Sequence, residues 1–164
     1  MAHVKHNSKN DEWYTPAFVL DHARQTLGGP FDLDPASCEV ANQLVEASRF
    51  FTKESNGLMF PWYAERLWLN PPYSRELLPS FIYKLLDEVT RGAVKSAAVL
   101  INNATETAAA QALLKRADAV QFLTKRVKFL DDTLTPKKTP LQGQMLCFIN
   151  PANRPDDKMG RVFV

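Results

Sequence analysis

The run Asn70-Pro71-Pro72-Tyr73 places a carboxamide, two prolines and an aromatic ring at consecutive positions. Each proline fixes its own backbone angle, removes a backbone donor and biases the residue before it away from helix. What remains is a rigid row of acceptors, formed by the Asn70 side-chain oxygen and the carbonyls of Asn70 and Pro71. Such a row, with the Tyr73 ring beside it, suits a planar group that donates hydrogen bonds through an amine.

Adenine N6 is an amine of this kind, and the motif predicts chemistry at such a nitrogen. Its lone pair is delocalised into the ring, so the amine is a poor nucleophile. Two acceptors that hold its hydrogens favour the tetrahedral nitrogen, whose lone pair is free to attack, and so stabilise the transition state over the ground state. A base inside a duplex cannot reach such a pocket, so it must be flipped out or already be single-stranded.

The elements that must hold this motif alternate along the chain between strands and helices. Thr15-Pro16 is typical of a helix start, with Thr15 as N-cap, and Gly28 ends that helix. Leu67-Trp68-Leu69 predicts an apolar strand that runs into the motif. In all, strands are predicted at 31–34, 49–52, 67–69, 97–101, 120–123, 127–130 and 144–149, and helices at 16–27, 37–48, 76–90 and 104–116.

This alternation predicts an α/β fold, with a mostly parallel sheet and helices on both faces. The regions 120–130 and 144–149 have no helix between them and predict an antiparallel edge hairpin. Only 35 residues separate Asp34 from Asn70, so we expect a reduced sheet of about six strands. In such sheets ligands bind beyond the carboxyl ends of the strands, where Asp34 and Asn70 both lie.

Length and composition indicate one compact domain. The 164 residues are 45% hydrophobic and 23% charged, which suits a packed core and argues against global disorder. No apolar run approaches the ~20 residues that span a bilayer, and the N-terminus lacks the apolar stretch of a signal peptide. We divide the chain into a flexible leader at 1–10, a single domain at 11–151 and a C-terminal tail at 152–164.

The cysteine and histidine content predicts no metal site, and the net charge says little about binding partners. Cys38 and Cys147 are expected to be buried free thiols, and the three histidines near the start give no zinc spacing. The net charge of +2 is too small to indicate nucleic-acid binding by itself. Lys125, Arg126 and Lys128 lie close together, but on their own they read as ordinary solvated surface.

The wider sequence resembles the phage-encoded Dam-type DNA N6-adenine methyltransferases, and Asn-Pro-Pro-Tyr is the catalytic motif of amino-methyltransferases. The resemblance covers residues 11 to 151 in family order. It is carried by Asp11-Glu12-Trp13-Tyr14-Thr15-Pro16, Phe31-Asp32-Leu33-Asp34-Pro35-Ala36-Ser37, Phe51-Thr52-Lys53-Glu54, Gly57-Leu58, Trp62, Leu67-Trp68-Leu69-Asn70-Pro71-Pro72-Tyr73-Ser74, Arg126 to Phe129 and the strand at 144–149.

The resemblance implies a Rossmann-like class I methyltransferase fold, S-adenosylmethionine as cofactor and DNA as partner. The catalytic residues are then Asn70, Pro71, Pro72 and Tyr73, with transfer to adenine N6. It further implies a monomer or weak homodimer in the cytoplasm of a bacterial host, encoded by a phage or prophage, with a role in shielding DNA from restriction. No separate recognition domain is visible, so specificity is expected from loops at 53–66, 102–105 and 131–143 or from a second subunit.

The resemblance also assigns the cofactor to three segments. Trp13, Tyr14, Thr15 and Pro16 match a segment that folds over S-adenosylmethionine, although a helix cap explains Thr15-Pro16 equally well. Asp34 is preferred for the methionine end or the ribose hydroxyls, with Asp32 deeper on the same side of the strand. Asn56 and Leu58 fall where the cofactor's adenine is contacted, and a plain Asn-Gly turn is an equal alternative. The glycine-rich turn common in methyltransferases is replaced by Pro35-Ala36-Ser37-Cys38.

For DNA, the implied contacts are Ser74, Arg75, Lys125, Arg126 and Lys128, with Arg126 on a phosphate near the flipped base. Two alternatives stay open. The same nitrogen chemistry occurs in methyltransferases that act on RNA or on a protein amide, because fold does not decide substrate. The missing glycine turn and Asn56 also fit a catalytically decayed DNA-binding module.

Overall fold

The computed structural model describes residues 13–138 and 142–163, and seven strands in these residues form one sheet. They are β1 (Leu33–Asp34), β2 (Arg49–Phe50), β3 (Ala64–Leu69), β4 (Val94–Asn102), β5 (Ala119–Leu123), β6 (Gln144–Ile149) and β7 (Gly160–Phe163). Their order across the sheet is β2-β1-β3-β4-β6-β5-β7. The pairings give β1 to β5 a common direction, and β6 and β7 run against it.

Four α-helices in the same residues cover the sheet: α1 (Ala17–Leu27), α2 (Glu39–Val45), α3 (Leu77–Thr90) and α4 (Ala108–Arg116). Short 3-10 turns stand at Gly57–Met59 and Asp157–Met159. Helix α1 ends, as predicted, at Gly28, which takes the left-handed φ of 84° that glycine accommodates best. Its start differs from the prediction, because Pro16 occupies the N-cap position and no side chain caps the helix.

The central strands are buried on both faces, and alternate residues feed two separate core layers. On β3, Leu67 and Leu69 belong to one layer, whereas Trp68 between them belongs to the other. Strands β4 and β6 alternate in the same way. Residues of α3 and α4 complete the first layer, and residues of α1 complete the second. The carboxyl ends of β1 and β3 therefore lie between two packed core layers.

The predicted α/β class and the antiparallel pair are confirmed, with three differences in detail. Strand β6 lies inside the sheet between β4 and β5, so the predicted hairpin is not at the edge. The edge is β7, from the predicted tail, which raises the strand number to seven from the expected six or so. The predicted strand at 127–130 is wrong as a strand, because only Leu130 pairs, in isolated bridges to Tyr14 and Pro136.

Some expectations concern residues that the structure leaves undescribed. The leader at 1–10, Asp11-Glu12 and part of the loop at 131–143 lie outside the described residues.

Of the two cysteines, both free thiols, Cys147 is buried as expected and Cys38 is half-buried. Among residues 13–138 and 142–163, no helix combines the length and the apolar character needed to cross a membrane.

Candidate active site

The site lies at the carboxyl edge of the sheet, where β1 and β3 run side by side. These strands pair in parallel, with Leu33 opposite Leu67. Their parallel direction brings Asp34, the last residue of β1, and Asn70, the first residue after β3, to the same edge. The topology therefore brings these two residues to the same edge of the sheet, as expected.

Hydrogen bonds hold the Asn70 side chain at both ends of its carboxamide. Its Nδ2 donates to the carbonyl oxygen of Trp13 at 2.8 Å and to the hydroxyl of Thr15 at 3.2 Å. Its Oδ1 accepts from the hydroxyl of Tyr73 at 2.8 Å. A carbonyl oxygen only accepts hydrogen bonds, so the atom facing Trp13 must be the nitrogen. The orientation of the carboxamide is therefore fixed, with its oxygen turned away from the segment 13–15.

Tyr73 turns its hydroxyl toward the protein interior. Besides Asn70, the hydroxyl lies 3.2 Å from the carbonyl oxygen of Leu100 on β4. The ring packs between the two core layers and meets Phe129 edge-on, with centroids 6.4 Å apart. Burial raises the pKa of Tyr73, so the hydroxyl keeps its proton and remains a donor to Asn70.

The motif passes directly into helix α3. Pro71 is buried and Pro72 half-buried, which fixes the chain between the strand and the helix. The Ser74 hydroxyl accepts the backbone N–H of Leu77 at 3.1 Å, the first residue of α3. Ser74, predicted as a DNA contact, thus has a local structural partner, whereas Arg75 beside it is exposed.

The segment 13–16 lies across the Asn70 end of the site. Tyr14 exchanges backbone hydrogen bonds with Leu130, at 3.0 and 2.8 Å, and its hydroxyl accepts from the Cys38 thiol at 3.3 Å. The Trp13 ring meets Phe129 edge-on at 5.8 Å, and the ammonium of Lys137 lies 4.7 Å from its centroid. Of the four residues predicted to fold over a cofactor, Trp13 and Thr15 accept hydrogen bonds from Asn70, and Tyr14 and Pro16 are their chain neighbours.

Asp34 is almost completely buried at the end of β1, with 3% of its surface exposed. Burial raises the pKa of Asp34 to about 7, and the hydrogen bond from the Ala36 N–H, at 3.1 Å, opposes that rise only in part. The nearby Ser37 hydroxyl also favours the charged carboxylate. Yet Ser37 Oγ is buried and meets no partner at hydrogen-bond geometry within the described chain. This acceptor and hydroxyl fit a ligand that presents polar hydrogens and positive charge.

Asp32 lies at the opposite, amino edge of the same strands, away from Asn70. Its two carboxylate oxygens accept the backbone N–H groups of Glu65 at 2.7 Å and of Arg66 at 2.8 Å. Both groups belong to the start of β3, so the Asp32 carboxylate joins β1 to β3 there. Period-two alternation could not show that the Asp32 carboxylate has backbone partners of its own.

Asn56 begins the 3-10 turn after β2. It is exposed, adopts the left-handed φ of 54° and caps the turn by accepting the Leu58 N–H at 3.3 Å. Gly57 is buried against the Pro35 carbonyl, which a Cβ atom would overlap. The structure thus contains the turn that the Asn-Gly pair predicted, with Leu58 partly buried against the core. The turn lies against the loop after β1. Contact of Asn56 and Leu58 with a cofactor stays a prediction.

The three basic residues after β5 are all exposed, while the two apolar residues on either side of Lys128 are buried. Lys125, Arg126 and Lys128 face outward, and Val127 and Phe129 are inserted into the core. The Val127 N–H donates to the buried Gln144 side chain at 2.9 Å, which anchors this segment to β6. Phe129 contacts both Trp13 and Tyr73, so the basic segment borders the site.

The sequence analysis gave no individual role to Phe129, Ser37 or Gln144. The alternation of lysines with apolar residues at 125–129 was the available signal for Phe129. Nothing in the sequence signals the buried hydroxyl of Ser37 or the anchoring by Gln144, since both depend on distant chain segments. As for metals, the described residues contain no cluster of three or more histidine, cysteine or acidic side chains that could bind an ion.

Comparisons with known proteins identify the family of this chain. A family model described as "DNA N-6-adenine-methyltransferase (Dam)" matches residues 2–162. A protein of Haemophilus phage HP1 named DNA N-6-adenine-methyltransferase is 29% identical over 147 residues, which cover 88% of this chain and 81% of that protein. One of Escherichia phage T1 with the same name is 35% identical over 80 residues, 48% of this chain and 31% of that protein. No solved structure matches the chain.

Proposed function

Because the chain belongs to the DNA N-6-adenine-methyltransferase (Dam) family, and is an adenine-specific DNA methyltransferase, we propose that its methyl donor is S-adenosylmethionine and that its target adenine is flipped out of the helix. The observation that carries the proposal is the fixed Asn70 carboxamide at the same edge of the sheet as the buried Asp34 carboxyl. One residue meets the amine and the other meets the donor.

Asn70 would act on the base by accepting a hydrogen bond from the N6 amine. An amide oxygen has two lone pairs, and Tyr73 uses one of them. The second lone pair, together with the Pro71 carbonyl, holds the two amine hydrogens and favours the tetrahedral nitrogen. The acceptors are rigid before the base arrives, so no reorganisation is needed in the transition state.

Asp34, Ser37 and the Trp13 ring would hold the cofactor. S-adenosylmethionine, when bound, supplies a methyl group on a positively charged sulfur. The Asp34 carboxylate would accept hydrogen bonds from its ribose hydroxyls or its ammonium group, and the unpartnered Ser37 hydroxyl would join them. The Trp13 ring, fixed by Phe129, would exclude water from one side. This arrangement aligns the donor with the amine, which matters because displacement at a methyl group is in-line.

The basic segment supports the flipped-base part of the proposal. Lys125, Arg126 and Lys128 are exposed on the side of the site where β5 ends. Phosphate contacts there would fix the position of the strand while one base leaves the stack. Ser74 is engaged at the start of α3, so we retain Arg75 as the DNA contact from the motif itself.

Methyl transfer from labelled S-adenosylmethionine to separate pools of DNA, RNA and protein tests the proposal. We expect label in DNA alone, on adenine N6. Asn70→Ala should reduce the rate by at least about a hundredfold, because removal of one preorganised transition-state partner has this size of effect. Asn153→Ala, which removes an exposed asparagine on the loop beside α1, is the matched control and should keep the wild-type rate.

Three results would contradict the proposal. Label in RNA or protein would move the chain to another substrate. Full DNA methylation by Asn70→Ala would remove the assigned mechanism. Absence of heat on titration of the wild-type protein with S-adenosylmethionine would show that Asp34 and its neighbours do not bind that donor.

A further inference from the structure

We propose that Thr15 is a positioning residue that holds the Asn70 carboxamide with its oxygen toward the target amine. The inference rests on the proposed function, since it concerns how Asn70 is oriented for that reaction. It gives the Thr15 hydroxyl a partner in the protein, in place of a helix cap or a direct cofactor contact.

The first argument is the complete hydrogen bonding of the amide nitrogen. Nδ2 of Asn70 has two hydrogens, and the structure offers each an acceptor: the Trp13 carbonyl at 2.8 Å and the Thr15 hydroxyl at 3.2 Å. Both acceptors come from one three-residue segment, which its backbone pairing with Leu130 holds in place. The nitrogen end therefore has no donor capacity left over for a substrate.

The second argument is the cost of the reversed orientation. A carboxamide rotated by half a turn would present its NH2 group to the target amine, and two donors would then face each other. It would also point Oδ1 at the Trp13 carbonyl, which only accepts hydrogen bonds. The Trp13 carbonyl therefore selects the productive orientation. In that orientation the Thr15 hydroxyl satisfies the second Nδ2 hydrogen, and donation from Nδ2 polarises the amide so that Oδ1 accepts more strongly.

The third argument is the partner that the buried Thr15 hydroxyl has in the described part of the chain. Thr15 is 3% exposed, and a buried hydroxyl requires a partner. The neighbouring helix does not use it, because Pro16 is the N-cap of α1 and no side chain caps that end. The Asn70 amide, 55 positions along the chain, is the partner that the structure supplies.

The decisive variant is Thr15→Val, which keeps the shape and removes the acceptor. We expect kcat for DNA methylation to fall about tenfold, since one hydrogen bond of the orienting pair is lost. The KM for S-adenosylmethionine and its calorimetric Kd should stay within about twofold. Thr15→Ser, which restores a hydroxyl, should recover most of the lost rate. If Thr15→Val does not fold, Thr15→Ala carries the same expectations.

A spectroscopic measurement on the protein without ligands is independent of activity. In a two-dimensional ¹⁵N–¹H spectrum, the side-chain amide pair of Asn70 is identified by its loss in Asn70→Ala. Thr15→Val should shift one proton of that pair upfield and speed its exchange with water, and Thr15→Ser should reverse both changes.

The outcomes separate the inference from the proposed function. A higher Kd for S-adenosylmethionine with unchanged kcat in Thr15→Val would overturn the inference and make Thr15 a cofactor residue. An unmoved Asn70 amide pair would overturn it as well. A wild-type protein that methylates no DNA would defeat the proposed function, while the spectra would still decide whether Thr15 orients Asn70.

Discussion

Burial of the Asp34 carboxyl lowers the free energy of unfolding by an amount that depends on pH. Burial raises the pKa of Asp34 from 3.8 to about 7, so the folded state retains a proton that the unfolded chain releases. Below pH 4 both states are protonated and the cost is absent. As pH rises from about 4 to about 7, the unfolded state loses its proton first, and stability falls until the cost is complete above pH 7.

Asp34→Asn should therefore stabilise the protein at pH 8, by at most about 4 kcal/mol. The gain in the free energy of unfolding should shrink as pH is lowered and vanish near pH 4. Urea unfolding at pH 4, 6 and 8 measures it, with the exposed Asp132→Asn as control. A gain for Asp34→Asn that is the same at all three pH values would contradict the assignment. The variant should also lose binding of S-adenosylmethionine, because the carboxylate is removed.

For single residues, local interactions could be predicted from the sequence, whereas contacts between residues far apart in the chain could not. The two prolines restrict their own neighbourhood, so the rigidity at 70–73 was readable from the sequence. The Thr15 hydroxyl was assigned to a helix cap because a cap is a local pattern. Its hydrogen bond to Asn70 spans 55 positions and has no local signal. The backbone partners of Asp32 on β3 escaped prediction for the same reason.

Among the elements, those with a long apolar pattern were predicted well. Strand β6 has the predicted bounds, β4 is longer than the predicted 97–101 at both ends, and α3 begins within one residue of the prediction. Strand β7 was missed because four residues carry too little pattern, and its strand state comes from pairing with β5. The segment 127–130 shows the reverse case, since it alternates like a strand yet has only Leu130 paired.

The pairing of β7 depends on a glycine at its first residue. Gly160 lies opposite Leu123 on β5, and a Cβ atom at this position would overlap the Phe122 carbonyl oxygen. We therefore expect Gly160→Ala to separate β7 from β5 and to lower the free energy of unfolding by about 2 kcal/mol. Hydrogen exchange should become faster for amides at 120–123, while those of β3 stay protected.

Gly92→Ala is the matched control for this prediction. Gly92 has a left-handed φ of 74°, but its nearest contact is the flexible Lys95 ammonium at 3.9 Å. The control therefore suffers backbone strain without a collision, at about 1 kcal/mol. Equal destabilisation by the two substitutions, with no change in exchange at 120–123, would mean that close approach to β5 is not what requires Gly160.

At the scale of the whole molecule, the candidate active-site residues and the exposed basic segment lie at one edge of the sheet. Strands β1, β3 and β5 end there, so Asp34, Asn70 and the segment 125–128 share that edge. The net charge of +2 does not reveal this arrangement, because a sum of charges does not say where in the fold each charge lies. The fold class and the edge could be predicted from alternating elements. The contacts of Phe129 with Trp13 and Tyr73, which join the basic segment to the site, needed the three-dimensional structure.

Removing two of these charges tests the DNA-facing role of this edge. Lys125→Gln with Lys128→Gln should weaken DNA binding and reduce the slope of log K against log salt by about 2, since each phosphate contact contributes about 0.9. Affinity for S-adenosylmethionine should not change. The control pair, Lys95→Gln with Lys115→Gln, removes the same charge from exposed positions at the amino edge of the sheet. If both pairs lower the slope equally, DNA senses only the net charge and the basic segment has no special contact with it.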